Sequence, residues 1–261
     1  MDDEDLRFAA QAIREADHVV AMTGAGVSTN SGIPDFRGEE GLWKTHDPAD
    51  FHLSRFEASP GEFWRDRLEI DAARHGEQVV PNPAHEALAD LESAGNLDAL
   101  ITQNIDGLHP KAGSQHVVEL HGSGERVVCR DCGRRFPAAP VRERVRGGET
   151  PPRCADCGGV LKPDVVLFGE QLPQAALLEA HALAESADVF LVVGSSLSVE
   201  PAASLPGTAA DHGATMVVVN LDRTPLSGRV EYDFRADAAD LLPRLAAAVD
   251  DGAAARDSAP S

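Results

Sequence analysis

Apolar positions along this chain fall into two recurring textures. Short continuous runs rich in β-branched residues alternate with longer segments whose apolar positions recur every three or four residues. Glu4 to Ala16 carries Leu6, Ala9, Ala10 and Ile13 at helical spacing, so the chain opens with an amphipathic helix. His18-Val-Val-Ala-Met22 follows as a short buried strand. Leu97–Thr102, His116–Leu120, Asp164–Phe168, Asp188–Ser195 and Ala214–Asn220 share that strand texture. Ala84–Glu92, Ala175–Ala187 and Ala238–Val249 read as helices between or after them. An apolar strand without alternation needs cover on both faces, and strand–helix alternation supplies it. The expected fold is α/β: a Rossmann-like parallel sheet with helices on both faces.

Two stretches interrupt this pattern. Residues 41–76 interleave Trp43, Phe51, Phe56, Phe63 and Trp64 with charges, Pro48 and Pro60, which reads as short helices packed as a module around most of those aromatics. The other stretch holds all four cysteines as two pairs, Cys129/Cys132 and Cys154/Cys157, with 21 residues between the pairs. That is the spacing of a zinc ribbon, and four thiolates leave no open coordination position, so the metal is expected to be structural. Two disulfides are the alternative, disfavoured in a reducing compartment.

Ligands of a parallel sheet bind beyond the carboxyl ends of its strands. Here those ends carry Thr23–Gly26, Thr102–Asp106, His121, Gly194–Ser196 and Asn220–Asp222. Gly24 and Gly26 allow a tight turn close to a bound group, and a helix opening after them would aim N–H groups at an anion. Thr29 stands where a dinucleotide fingerprint has its third small residue, so the turn alone equally describes an ordinary strand–helix connection. Asp35-Phe36-Arg37 puts an acid, an aromatic plane and a cation in the loop beyond it. His121 suits a general base near neutral pH, or a plain strand cap. Gln103, Asn104 and Asp106 suit chemistry or simply a turn.

The net charge of −20 and the presence of only Lys44, Lys111 and Lys162 as lysines change the expected surroundings. The acids are spread rather than blocked, which favours a surface adapted to high salt and a halophilic source. Such a surface argues against direct nucleic-acid binding. No apolar run reaches a membrane span, and the acidic start Met1–Asp5 lacks a basic signal-peptide region, so a cytoplasmic location is expected.

The pieces occur in one order: Gly24-Ala-Gly-Val-Ser28 with Gly32-Ile-Pro-Asp-Phe-Arg37, Thr102-Gln-Asn-Ile-Asp106 with Leu108-His109, and then His121-Gly122. The cysteine pairs follow, then Lys162-Pro-Asp-Val-Val-Leu-Phe-Gly-Glu170, Gly194-Ser-Ser-Leu197 with Pro201-Ala-Ala203, and Val219-Asn-Leu221. From about Glu4 to Val249 the chain resembles the sirtuins, the NAD-dependent protein deacylases. The resemblance implies a large NAD-binding domain (1–38, 77–125 and 161–250) and a small domain made of the helical module (39–76) and the zinc ribbon (126–160). Residues 251–261 are expected to be a disordered tail.

The resemblance also implies roles. Gly24, Ala25, Gly26, Ser28, Asp35, Phe36, Arg37 and Trp43 would cradle NAD, and the loop bracketed by Gly32 and Gly38 would order over the nicotinamide ribose. Gln103 and Asn104 would touch that ribose, and Asp106 with the Ile105 backbone would hold the carboxamide. Gly194, Ser195, Ser196, Asn220, Leu221 and Asp222 would bind the adenosine half, with Asp237 and Ala238 near adenine. Val165, Phe168, Gly169, Glu170, Ser198, Val199 and Glu200 would flank an acyl-lysine peptide as strand-like partners.

In the implied reaction, catalysed by His121 with Gln103 and Asn104, the acyl oxygen attacks C1′ of the nicotinamide ribose. His121 acts as base on the ribose hydroxyls, giving lysine, nicotinamide and O-acyl-ADP-ribose. Protein ADP-ribosylation and non-catalytic NAD sensing are alternative uses of such a pocket. Sirtuins that prefer acidic acyl groups pair a tyrosine with an arginine three residues on. Trp64 and Arg67 stand at that spacing here, so deacetylation is expected first, with Arg67 in the acyl site or on a solvated face.

Overall fold

A computed structural model of the chain describes residues 3–35, 41, 44–45, 47–74 and 79–257. In chain order its first elements are α1 (Asp3–Glu15), β1 (Val19–Thr23), α2 (Leu53–Ala58), α3 (Pro60–Arg74), α4 (Pro83–Ser93), β2 (Ala99–Thr102), α5 (Leu108–Ala112) and β3 (Val117–Glu119). Next come β4 (Gly122–Cys129), β5 (Arg135–Pro137), α6 (Ala138–Arg146) and β6 (Leu161–Val165). The chain continues with α7 (Gln174–Ser186), β7 (Val189–Val193), α8 (Leu205–Asp211), β8 (Thr215–Val219), β9 (Tyr232–Phe234) and α9 (Ala238–Asp257).

Six strands form one sheet in the order β3-β2-β1-β7-β8-β9, and every pairing is parallel. The order runs outward in both directions from β1 and β7, which makes their boundary the topological switch point of a doubly wound sheet. Successive residues serve opposite faces. Val19 and Ala21 join Leu191, Val193, Val217 and Val219 under α1, α4 and α9. Val20 and Met22 join Ile101, Phe190, Val192 and Val218 under α7 and α8. Burial on both sides is why these strands are apolar without interruption.

A second sheet is antiparallel, in the order β5-β4-β6. Its core joins Val127, Leu161 and Val165 to Phe56, Phe63 and Trp64 of α2 and α3 and to Val141 and Val145 of α6. Phe56 and Phe63 meet edge to face at 5.3 Å between centroids, and Trp64 is 2 % exposed. The indole Nε1 of Trp64 donates to the carbonyl of Leu161 (2.8 Å), tying α3 to β6. These aromatics are core, as the sequence indicated. Phe51 instead lies half-buried beside the cavity described below, and Trp43 lies outside the described residues.

Three expectations are corrected. The strand expected at Asp164–Phe168 is β6, it ends at Val165, and it pairs with β4 in the small sheet rather than entering the large one. The helix expected after the glycine turn is a 3-10 helix, Ala25–Ser31, ended by Gly32 at φ +83°. The final helix does not stop at Val249 but runs through Asp257, so the tail is not irregular from residue 251. Three consecutive alanines at 253–255 favour the helix there. Among the described residues no helix is long and apolar enough to cross a membrane.

The start of α4 carries an unannounced polar core. Asn82 caps the helix by accepting from Ala84 N–H, and His85 accepts from Asn82 N–H, completing a capping box with histidine in the usual Glu/Gln position. His85 and His109 are both fully buried, their ring centroids 4.8 Å apart. Burial pushes the His85 pKa down to about 4 against the pull of Asp106. Burial, aided by His85, pushes His109 to about 3. Both are therefore neutral in the fold and protonate first in the unfolded chain. Their stabilising contribution is complete above about pH 6.5 and is lost as the pH falls toward 4 and 3. Guanidinium unfolding in high salt should show stability falling below pH 6.5 by up to about 1.4 kcal/mol per pH unit for each histidine. His109→Gln should flatten that slope, and an unchanged slope would contradict the assignment.

Candidate active site

The carboxyl ends of β1 and β7 approach so closely that only glycines fit. Gly24 N–H donates to Val193 O (3.0 Å) and Gly26 N–H to Gly194 O (2.8 Å). A Cβ on Gly194, which sits at φ +60°, would lie 2.3 Å from Val27 N. The N–H groups of Gly24 and Gly26 are thus spent inside the protein, while Ala25 between them lines a cavity of about 1000 Å³.

The loop after β2 crosses this junction. Asn104 Nδ2 donates to Gly24 O and to Ser28 Oγ (3.1 Å each). Ser28 Oγ donates to Asp106 Oδ2 (2.8 Å), and Asp106 Oδ1 accepts from Leu108 N–H (2.9 Å). Gln103 Nε2 reaches Ser195 Oγ beyond β7 (2.8 Å). Below this layer, Thr23, Thr102 and His109 continue the polar contacts into the core. Three strand ends, those of β1, β2 and β7, are therefore joined by side chains that sequence separates by up to 92 positions.

His121 lies in the link between β3 and β4, where the chain leaves the large sheet for the small one. Gly122 follows at φ +74° with its α-carbon against Asp164 O, so that a Cβ there would lie 2.1 Å from that oxygen. His121 Nδ1 is 2.8 Å from Gln103 O, a carbonyl, so Nδ1 carries the proton and donates. Nε2 is then left as an unprotonated acceptor on a ring that lines the cavity. Burial holds the His121 pKa below the ordinary histidine value, with the Gln103 carbonyl opposing. The group is an oriented base at neutral pH.

The cavity also takes in Ser28, Gln103, Asn104, Ile105, Asp106, Val165, Phe168, Gly169, Glu170, Val199 and Arg67 from the sequence-derived set. Gly194, Ser195, Ser196, Asn220, Leu221, Asp222 and Ala238 lie outside it, along the ends of β7 and β8 and the start of α9. There Asn220 Nδ2 turns back to Asp222 O, Leu221 is exposed, and Asp237 accepts from Ala239 N–H and Asn30 Nδ2. Ala238 is buried in the core. Asp35 closes the described part of its loop, and Phe36 and Arg37, like Trp43, lie outside the described residues.

Leu172 and Leu177 carried no sequence signal; together with Ile33 and Pro34 of the Gly32–Arg37 motif and Phe51 of the helical module they supply apolar wall. Val166 also lines the cavity, and its neighbour Val165 has its side chain in the core and its carbonyl taken by Lys162 Nζ (2.6 Å). Trp64 does not face an acyl group: its N–H is engaged with Leu161.

The four cysteine sulfurs lie within 4.8 Å of one another. Cys129 and Cys157 are 3.4 Å apart and Cys132 and Cys154 3.9 Å, too long for disulfides. Zinc–sulfur bonds of about 2.3 Å in a tetrahedron place sulfurs roughly 3.8 Å apart, so the set fits one structural Zn²⁺. Cys129 and Cys154 also belong to the core shared by α2, α3, α6 and the small sheet.

Comparison with known proteins agrees with this geometry. A relative from Haloarcula marismortui, named NAD-dependent protein deacetylase, is 55 % identical over 247 residues, 94 % of this chain and 95 % of the relative. A structure concerned with the mechanism and regulation of Sir2 enzymes superposes with a TM-score of 0.85 at 42 % identity, covering 96 % of this chain and 99 % of that one. A Sir2 structure with a p53 peptide and NAD⁺ gives 0.79 at 37 % identity, covering 94 % and 97 %. The Sir2 family model matches residues 24–201, a span that runs from the glycine turn through the Gln103–Asp106 loop, His121 and the cysteine sheet to the far wall of the cavity. The chain belongs to the Sir2 family.

Proposed function

We propose that the chain is an NAD-dependent protein-lysine deacetylase, releasing lysine, nicotinamide and O-acyl-ADP-ribose. The observation that carries the reading is the oriented His121: Nδ1–H is fixed on Gln103 O, and Nε2 is free to take a proton inside the same cavity as Asn104 and Asp106. NAD supplies the electrophilic ribose carbon and the hydroxyls on which that base acts. Ala25, Ser28, Asn104 and Asp106 hold its nicotinamide half, with Ile105 offering backbone to the carboxamide, and Gln103 bridges to Ser195 beside the adenosine half. Gly194, Ser196, Asn220, Leu221, Asp222 and Ala238 complete the adenosine side. Asp35 is assigned to the ribose side as well; Phe36, Arg37 and Trp43, assigned to NAD from the sequence, lie outside the described residues.

The acyl-lysine peptide enters between the large sheet and the small one. Among the described residues no hydrogen bond engages the Val166 carbonyl or the Gly169 N–H, so these backbone groups are open to an added strand, with Val199 opposite. Phe168 contributes its side chain, since its N–H and carbonyl are taken by Phe51 and Leu53. That a Sir2 structure similar to this chain holds a p53 peptide with NAD⁺ supports a peptide substrate. The same reading divides the chain into an NAD-binding part and a small part of helical module and zinc ribbon. The pairing of β4 with β6 favours counting both strands with the small part. Free thiols gathered for a metal suit a reducing compartment such as the cytoplasm.

Incubation with NAD and acetyl-lysine peptide should yield nicotinamide and O-acetyl-ADP-ribose by mass spectrometry. His121→Ala should lower turnover by about 10²–10⁴-fold while NAD still raises the melting temperature. ADP-ribosylated protein, or free ADP-ribose without deacylation, would favour the other uses of the pocket. Acetyl-lysine should be processed faster than succinyl-lysine, because the Trp64 N–H that could have joined an acidic acyl group is spent on Leu161. Faster desuccinylation would reverse this choice.

We further infer adaptation to high salt from the diffuse −20 charge, a reading the Haloarcula relative supports. Thermal stability should rise steeply as KCl is raised from millimolar to molar. A melting temperature independent of salt would refute it.

A further inference from the structure

Lys162 is a buried cation in a chain that has only three lysines. Its side chain is 3 % exposed, and burial draws its pKa downward against the pull of Glu170. Its Nζ donates to Val165 O (2.6 Å) and to Glu170 Oε2 (2.9 Å). The same carboxylate oxygen accepts from Leu167 N–H (3.1 Å), and Glu170 Oε1 lies 3.6 Å from Arg130 in the first cysteine knuckle. Glu170 N–H donates to Leu167 O (2.9 Å), closing a four-residue turn with Gly169 at φ +80° in its third position.

The ion pair therefore staples both ends of segment 165–170, and it does so selectively. Val165 C=O and Leu167 N–H are occupied by side chains of the pair. The groups between and beyond them, Val166 C=O and Gly169 N–H, are left on the cavity wall. A one-residue change in which groups are open would shift an added strand by one position and turn its side chains over.

We propose that Lys162, acting through Val165 and Glu170, is a positioning residue that sets the register in which the acyl-lysine peptide pairs with segment 165–170. This rests on the deacylase reading above. Stability alone does not account for the pair, because replacing a buried ion pair by apolar groups is often neutral or favourable. Lysine rather than arginine suits the role: a compact ammonium places separate donors on a carbonyl and a carboxylate, whereas a guanidinium presents a planar fork. Buried below the turn, Lys162 acts on the peptide only through the backbone it holds.

The test compares wild type, Lys162→Met, Lys162→Gln, Glu170→Gln and the Lys162→Met/Glu170→Gln double variant, full length and in high salt. Steady-state rates are read by nicotinamide release with acetyl-lysine peptide and NAD varied in turn. Wild-type release that depends on the peptide tests the deacylase reading, and the ratio of variant to wild type tests the clamp. Lys162→Met should lower kcat/KM for peptide about tenfold, the scale of one misplaced hydrogen bond, with KM for NAD unchanged; its melting temperature should fall, because the Glu170 carboxylate is left without its partner, and should recover in the double variant. Lys162→Gln, which keeps one donor for Val165 C=O, should lose less and serves as the readout should the Met variant not fold. The double variant should be no worse than Lys162→Met. Wild-type peptide kinetics in a folded Lys162 variant would overturn the proposal. So would an equal loss in NAD affinity, or a full additional loss in the double variant, which would give Glu170 a separate contact of its own.

Discussion

The site depends on the contact between two backbone turns. β1 and β7 are neighbours in the sheet, and the chains leaving them cross at Gly24–Gly26 and Gly194 within van der Waals limits that exclude a Cβ on any of the three. The crossing brings strand ends that would otherwise diverge into one crevice, and everything chemical is hung from it. Asn104 binds Gly24 O, Gln103 bridges to Ser195, and the carbonyl of Gln103 then orients His121. The glycines act here as packing elements that let the turns meet, and Ala25, held between them, is the residue that faces the cavity.

That arrangement explains which parts of the fold were legible in the sequence. β1, β7 and β8 are buried on both faces, so their apolar runs identify them as central parallel strands. β4 alternates buried and half-exposed positions over Gly122–Cys129 and has glycines at its start, so no continuous run marks it. β6 is Leu161-Lys-Pro-Asp-Val165 and shares only its last two residues with the expected strand at Asp164–Phe168, so the apolar run that was legible mostly follows the strand, and a run does not say which sheet a strand joins. Its partner is set by the chain reversal at the cysteine knuckles. The three alanines near the end of α9 and the acids and serines around them argue in opposite directions, and helix propensity prevails through Asp257.

The site divides in the same way. Residue types that carry chemistry stood out: His121, Asn104, Asp106 and the cysteine pairs. What gives them their state did not. No local pattern reveals that a main-chain carbonyl selects the tautomer of His121, or that His85 and His109 lie together under the cavity floor as neutral imidazoles. Those are consequences of burial across long sequence separations. They matter because the floor beneath Ser28 and Asp106 is thereby kept free of positive charge in a molecule whose surface is strongly negative.

Trp64 shows how a position that looks like a specificity determinant can be a structural one. Its spacing to Arg67 suggested a place in an acyl pocket, yet its N–H is bound to Leu161 and its ring fills the core beside Phe63. That core also contains Cys129 and Cys154 on one side and Val165 and Leu167, which border the cavity, on the other. The metal ribbon, the helical module and the substrate-facing segment are therefore one packed body. The cysteine cluster is thus tied to segment 165–170 by shared side-chain packing and by the Arg130–Glu170–Lys162 contacts.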